Sequence, residues 1–405
     1  MKFHPYPGII YCRKESYSQI TPSLEDFLNG DVLLETKPEI NLCDYWDYID
    51  IIAYESFKSM CMQSKPPLRR LSVFVTDLCN IQCSYCPRKQ ETIQTIDMDW
   101  LLHSIVEAQQ QGAIFLDIMG LGEPTVINEL PRILNTAASV GMVCTVGTNG
   151  TTRNLMDPCY LSRLFDASPI KFRVSLDGAE PEENDRFQYD PSTWYRVVNF
   201  LDSLLNAREK GKLKAGIFIN KVLSDSNEKN LLKDLKFMAE LGVDDIHLIP
   251  IRFASDQFFT PEKILRFNRE IVPGIQELGK RYKLPWLCEN AYLFGRSEKE
   301  IELASQGYYY QPTIAKECYV MKGQIVIDPR RLPYTCLWGR RAGGKPLSQP
   351  KPSDSNFTAI HDRVFSMNYL DLNPGICKNY CTRRVIDLNN CFARKLAKIP
   401  DQKVS

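Results

Sequence analysis

The chain has 405 residues, with 50 Lys and Arg against 49 Asp and Glu, 44% hydrophobic and 24% charged residues. That balance excludes wholesale disorder and fibrous architectures and leaves room for two or three domains of roughly 150 residues each. A net charge of +1 gives no basic surplus for nucleic-acid binding, and no apolar run approaches the ~18 residues of a bilayer span. The amino-terminal residues lack the apolar stretch of a signal peptide, so we expect a cytosolic protein with neither membrane nor nucleic acid as partner. Thiols stay reduced in that compartment, and 14 Cys therefore suggest metal or redox chemistry before disulfides.

Residues 1–70 show no strand–helix rhythm and read as an extension of unassigned role. From 71 to 255 short β-branched runs alternate with amphipathic helices. The expected strands are Ser72–Thr76, Ala113–Met119, Val143–Thr148, Phe172–Leu176, Gly216–Val222 and Asp245–Pro250. One helix runs from near Asp97 to a stop at Gly112; another starts at Asn227 and stacks Leu231, Leu235 and Met238 before Gly242. Six β–α units in series predict a parallel sheet with right-handed crossovers, an α/β partial (β/α)6 barrel like that of triosephosphate isomerase, with its chemistry at the carboxyl ends of the strands. Residues 256–317 read as a helical, aromatic-rich connection, with a helix after Pro261. Residues 318–405 form a small Cys-rich unit opening on a hairpin-like piece around Gly323, with a Gly-, Pro- and Ser-rich linker from Gly343 to Asn356.

The sharpest signal is Cys79-Asn-Ile-Gln-Cys83-Ser-Tyr-Cys86, directly after the first strand. Three thiolates on one loop can ligate three irons of a four-iron, four-sulfur cluster and leave the fourth iron open. A zinc site is the alternative, although structural zinc wants four ligands and no fourth Cys or His lies nearby. The later strands end in Gly120-Leu-Gly-Glu-Pro124, Thr148-Asn-Gly150 and Ser175-Leu-Asp-Gly178, followed by Asn184-Asp-Arg186.

In this order these motifs resemble those of radical S-adenosylmethionine (SAM) enzymes. The resemblance covers roughly residues 71–250. It implies that Cys79, Cys83 and Cys86 hold a 4Fe-4S cluster whose open iron is chelated by SAM, and that reductive cleavage of SAM yields a 5′-deoxyadenosyl radical that abstracts hydrogen from substrate. It also implies SAM-pocket roles for Tyr85, Gly122, Glu123, Pro124, Thr148, Asn149, Ser175, Asp177 and Arg186. Two departures stand out: Leu121 where a paired glycine is common, and Asn184 where His is common.

Cys318, Cys336, Cys377, Cys381 and Cys391 resemble the carboxyl-terminal SPASM and twitch extensions of this family, which carry auxiliary clusters. The match is partial, and it implies one auxiliary 4Fe-4S cluster with Cys318 and Cys336 as its firmest ligands. The remaining thiols, Cys144 and Cys159 among them, read as structural. For the reaction, the extra chain length favours modification of a ribosomally made peptide or a protein, with a reductant such as flavodoxin or ferredoxin and a separate leader-peptide-binding partner as expected partners. A dehydrogenase or epimerase acting on a carbohydrate- or aminocyclitol-like metabolite is the alternative enzyme. A non-enzymatic zinc protein is the alternative of another class.

Overall fold

The computed structural model describes residues 66–86, 93–167, 170–188, 192–251, 260–305, 322–334, 345–348 and 356–365, with single positions beside them that include Cys318, Cys336 and Arg340. Strand β1 is Arg70–Val73, helix α1 is Met98–Gln110 and strand β2 is Phe115–Ile118. Helix α2 (Leu130–Ser139), strand β3 (Val143–Thr148), helix α3 (Pro158–Phe165) and strand β4 (Ile170–Ser175) follow. The series continues with α4 (Pro181–Gln188), α5 (Thr193–Glu209), β5 (Ala215–Leu223), α6 (Leu231–Glu240) and β6 (Asp245–Pro250). Four helices come next, α7 (Pro261–Glu270), α8 (Val272–Arg281), α9 (Pro285–Glu289) and α10 (Glu298–Ser305). A hairpin of β7 (Gln324–Ile327) and β8 (Pro333–Tyr334) precedes α11 (Phe357–Phe365). No helix among the described residues is long and apolar enough to cross a membrane.

The strands form one sheet in the order β6-β5-β4-β3-β2-β1-β7-β8. Strands β1 to β6 pair parallel in sequence order, each connection after β1 spanning at least one helix, as six β–α units require. The hairpin belongs to the same sheet. β7 lies parallel to β1, pairing Leu71 with Ile325 and Val73 with Ile327, and β8 returns antiparallel. The hairpin expected around Gly323 is present, and Gly323 lies just before β7; its carbonyl accepts the Arg69 amide at 2.7 Å and so sets the register of β7 against β1. The turn falls at 328–332, where Arg331 has a φ of +64° and the Asp328 side chain accepts the Arg330 and Leu332 amides at 2.9 Å each.

Alternation along the strands sorts the side chains into two faces. On β4, Phe172 and Val174 are fully buried against the helices, Phe172 meeting Phe200 of α5 edge-on at 6.0 Å. Lys171, Arg173 and Ser175 therefore face the concave side. Cys144 sits on the helix side of β3 with no exposure, as expected for a core thiol, whereas Cys159 is exposed on α3, against that expectation. The concave face carries a buried ion pair, Arg70 to Asp117 at 3.0 Å, between β1 and β2. This buried charge pair shares the face with a small apolar cluster of Phe74, Val326 and Tyr334 beside β7 and β8.

Candidate functional site

The carboxyl ends of β1 to β5 converge on the loop that carries Cys79, Cys83 and Cys86, all three of them partly buried free thiols. The chain leaves the β1 ladder after Val73, makes a bridge between Thr76 and Thr95, and turns so that the Cys86 amide donates to the Cys83 carbonyl at 3.1 Å. Burial pushes the Cys83 thiol well above its ordinary range, and the charges of Asp177, Cys86 and Cys79 push it further the same way. Among the described residues, no three His, Cys, Asp or Glu side chains are gathered around a single point as one metal ion would require.

The β2 turn is fastened directly to this loop. Glu123 donates its amide to the Leu78 carbonyl at 2.8 Å. A Cβ at Gly122 would stand 2.2 Å from the Thr76 carbonyl oxygen and 2.6 Å from that of Leu78. Only glycine allows that approach. The Glu123 carboxylate is 3% exposed and turned inward. One oxygen accepts the Thr125 amide at 3.0 Å and the Thr125 and Thr148 hydroxyls at 2.6 and 2.7 Å; the other accepts the Asn149 amide at 2.7 Å. In this arrangement Glu123 braces the ends of β2 and β3 against each other.

Burial raises the Glu123 carboxyl above its usual 4.5, outweighing the pull of the Asn149, Thr125 and Thr148 donors. The folded protein therefore holds this proton at pH values where the unfolded chain has lost it, and stability falls as pH rises from that usual value through the raised one. Glu123→Gln turns one acceptor into a donor facing a donor, which should cost about 1–3 kcal/mol. Because Gln does not titrate, its deficit should be larger at about pH 5 than at about pH 8 in urea unfolding of the two proteins. A deficit that grows with pH would contradict the raised carboxyl.

Asn149, at the end of β3, aims its amide nitrogen at Cys79 Sγ, 3.7 Å away, and at Asn80 Oδ1, 3.0 Å away. Its own oxygen accepts the Thr151 amide and hydroxyl at 2.9 and 2.8 Å, and Thr151 in turn accepts from Asn80 at 2.9 Å. The Tyr85 hydroxyl donates to Asp177 Oδ2 at 2.5 Å, joining the thiol loop to the end of β4. Burial first, then the charges of Asp177 and Cys83, hold the Tyr85 phenol far above its ordinary range, so it keeps its proton and donates. Asp177 also accepts the Val222 amide at 2.9 Å, and its own amide donates to Asn184 Oδ1 at 2.9 Å. Asn184 is fully buried and passes its amide to Thr193 at 3.0 Å, so the position that departs from the His pattern works as a prop for the β4 turn.

Several residues of this assembly carry no motif. Lys221 on β5 is fully buried, pairs with Asp234 of α6 at 2.6 Å, and also donates to the Asp177 carbonyl. Asp234 accepts the Ala179 amide at 2.9 Å. Asn80, Thr151, Lys221 and Asp234 are invisible to motif reading because each is an ordinary polar residue whose role depends on partners far away in sequence.

Pro124 is buried at the start of a short 3-10 turn, and Ser175 ends β4 half-buried on the concave face. Arg186 rides on α4; its side chain lies outside the described residues, as do Cys377, Cys381 and Cys391. Cys318 is buried and Cys336 half-buried, one on either side of the β7–β8 hairpin. Arg340 reaches from this region to Asp328 at 3.3 Å and to Asp77, at the foot of the thiol loop, at 3.6 Å.

Three thiols on one loop, with an amide donor aimed at the first, are a donor set suited to an iron–sulfur cluster, whose protein ligands are thiolates tuned by hydrogen bonds to sulfur. The comparisons with known proteins agree with this chemistry. Residues 73–238 match the model of the Radical SAM superfamily. The chain is 27% identical over 174 residues to the AdoMet-dependent heme synthase of Methanosarcina barkeri, covering 42% of this chain and 47% of that protein. It is 24% identical over 212 residues to the probable GTP 3',8-cyclase of Metallosphaera sedula, covering 51% and 63%. The chain thus spans about half to just under two thirds of the length of these curated relatives. Among solved structures it is similar to Streptococcus suis SuiB bound to precursor peptide SuiA, with TM-score 0.54 and 12% identity over 85% of this chain and 79% of that one. It is also similar to native anSMEcpe with bound AdoMet and Kp18Cys peptide, with TM-score 0.51 and 12% identity over 80% and 84%.

Proposed function

We propose that this chain, whose residues 73–238 match the Radical SAM superfamily model, is a radical SAM enzyme that cleaves SAM reductively at the Cys79–Cys83–Cys86 loop and removes hydrogen from a peptide or protein substrate. The observation that carries the reading is the convergence of four strand-end turns on one loop of three thiols, each turn bonded to that loop or to its immediate neighbour. Bound there, a four-iron cluster with SAM would supply a carbon-centred radical, chemistry that no side chain provides.

The protein's own residues prepare the place. Cys79, Cys83 and Cys86 are the ligands we assign to the cluster. Asn149 steadies Cys79 through an amide hydrogen bond, and Tyr85 and Asp177 close the side toward β4 and β5. We assign the SAM pocket to the turns at Gly122–Pro124, Thr148–Asn149 and Ser175–Asp177, with Arg186 on α4 as the partner for a carboxylate. Glu123 serves this pocket by holding two of its turns together. The assignment is tested by anaerobic reconstitution with iron and sulfide, followed by spectroscopy of the dithionite-reduced protein and assay of 5′-deoxyadenosine. Protein that binds no cluster and releases no 5′-deoxyadenosine would overturn it.

A peptide substrate is supported by two structures of this fold that hold peptides. A small-molecule substrate is the second reading, favoured by the GTP cyclase and heme synthase among the sequence relatives. We further assign an auxiliary cluster to Cys318 and Cys336, completed from Cys377, Cys381 and Cys391. Reconstituted protein should then hold about eight irons per chain, and Cys336→Ala about four. That variant should still release 5′-deoxyadenosine while product formation collapses. Equal iron content in the two proteins would remove the auxiliary site.

A further inference from the structure

The first turn of α4 carries a carboxyl group that its surroundings leave one hydrogen short. Glu183 Oε1 accepts the side-chain amide of Asn230. Its Oε2 is buried, and no donor among the described residues reaches it. Buried polar atoms are nearly always paired in folded proteins, so this oxygen calls for a physical account. The carboxyl is within hydrogen-bond reach of Asp234, itself an acceptor. Asp234 already takes the Ala179 amide on Oδ1 at 2.9 Å and the Lys221 ammonium on Oδ2 at 2.6 Å. Two bare carboxylates in contact would repel, while Lys221 is committed to Asp234 and to the Asp177 carbonyl. A proton on Glu183 turns the same contact into a charge-assisted O–H···O hydrogen bond.

The other charges nearby do not supply that hydrogen. Lys233 of α6 pairs with Glu180, just after the β4 turn, at 2.6 Å, and both side chains are about half exposed. Glu228, on the 3-10 turn Glu228–Asn230, is tied to Arg266 of α7 at 2.6 Å. Glu182 and Lys229 are exposed. Burial first, then the contact with Asp234 and its charge, raise the Glu183 carboxyl above its usual 4.5, against the pull of Lys233 and with Glu180 adding to the rise. The folded protein therefore keeps this proton where the unfolded chain has lost it, and the proton's contribution to stability fades as pH rises through the raised value.

The position gives this proton leverage on the SAM pocket. A Cβ at Gly178 would stand 2.6 Å from Glu183 Cβ and 3.0 Å from the Asn184 amide, so the Ser175–Gly178 turn and α4 are in direct contact. Asn184, the next residue, accepts the Asp177 amide at 2.9 Å, and Arg186 follows two residues later in the same helix. We propose that Glu183 is a positioning residue for SAM: the proton it donates from Oε2 to Asp234 pins the first turn of α4 to the β4 turn and so fixes where Asn184 and Arg186 stand. This rests on the SAM pocket assigned above and adds to it a residue that acts through its neighbours.

Anaerobically reconstituted wild type, Glu183→Gln and Glu183→Ala test the assignment. Gln keeps both contacts, its oxygen accepting from Asn230 and its amide donating to Asp234, with nothing to titrate. Infrared difference spectra between wild type and Glu183→Gln, from about pH 5 to about pH 9, should show the carbonyl stretch of one protonated carboxyl group that outlasts the ordinary Glu range. The Kd for SAM, from equilibrium dialysis, should rise about tenfold in Glu183→Ala and stay within about twofold of wild type in Glu183→Gln at about pH 6, the scale of one hydrogen bond to a charged group. Where the wild-type band fades, the wild-type Kd should climb toward that of Glu183→Ala while that of Glu183→Gln does not follow. Glu183→Asp, whose carboxyl falls one methylene short, repeats the comparison should Glu183→Ala not fold. A carboxyl band confined to the ordinary Glu range, equal Kd values for Gln and its truncated counterpart, or a band that fades with no change in wild-type Kd relative to Glu183→Gln overturns the proposal. Wild-type protein that binds SAM and releases no 5′-deoxyadenosine would instead fail the cleavage reading and leave this one standing.

Discussion

Cys83→Ala should lose 5′-deoxyadenosine formation by about 10³-fold or more, equivalent to roughly 4 kcal/mol of barrier. The reason lies in how this thiol is placed. Cys83 is the middle ligand of the loop and its carbonyl takes the Cys86 amide at 3.1 Å, so it sits between both other sulfurs in sequence and in the turn. Burial first, then the charges of Asp177 at the end of β4, Cys86 and Cys79, raise its thiol above the ordinary range. Alanine preserves the turn's backbone and removes only the sulfur, which separates loss of a ligand from loss of the fold. Two other thiols serve as controls. Cys159→Ala removes an exposed sulfur on α3 and should change neither iron content nor turnover. Cys144→Ala removes a sulfur with no exposure in the β3 core and should lower the unfolding midpoint while leaving the cluster's spectrum intact. The readouts are iron per chain, the spectrum after dithionite, and 5′-deoxyadenosine per hour. Wild-type release from Cys83→Ala would mean that the loop is not the cluster site.

Much of this arrangement was legible in the amino-acid sequence. Strands β3 and β6 run over the residues their apolar, β-branched patterns mark, Val143–Thr148 and Asp245–Pro250. β1 begins two residues earlier than expected, at Arg70, because a charged residue reads as surface until its buried partner Asp117 is seen on the neighbouring strand. The α6 helix starts at Leu231 and not at Asn227, whose side chain is spent on the Ser224 amide and the Val222 carbonyl while a 3-10 turn over Glu228–Asn230 intervenes. The hairpin of β7 and β8 was visible as a local pattern, but its place beside β1 was not, since strand order in a sheet is a long-range property. The site shows the same division. Turns such as Gly122-Glu-Pro and Ser175-Leu-Asp-Gly are contiguous and could be read. The inward turn of the Glu123 carboxylate could not, because its acceptors' partners are Thr148 and Asn149, more than twenty residues away.

Lys221→Met should destabilise the protein by about 3–5 kcal/mol, because it strands the Asp234 carboxylate in the interior without its cation. At roughly 2–4 °C per kcal/mol for a domain of this size, the unfolding midpoint should fall by about 10 °C. Lys221 has no exposure and lies 2.6 Å from Asp234, whose side chain is 1% exposed, so water cannot replace the lost partner. The pair also has a second effect. Lys221 donates to the Asp177 carbonyl while Asp234 accepts the Ala179 amide, so the two charges hold the β4 turn from both ends. Asp177 in turn anchors Tyr85, which lies inside the thiol loop. Stability and positioning are therefore separable by a second substitution. In Lys221→Met with Asp234→Leu, two apolar side chains replace a buried ion pair, an exchange that is often neutral or stabilising, and the midpoint should recover most of its fall. The Asp177 carbonyl and the Ala179 amide would still have lost their partners, and the KM for SAM should stay raised in the double variant. Recovery of both quantities together would show that the pair holds the fold and nothing more. Recovery of the midpoint alone would place this buried lysine and aspartate among the residues that set the shape of the SAM pocket.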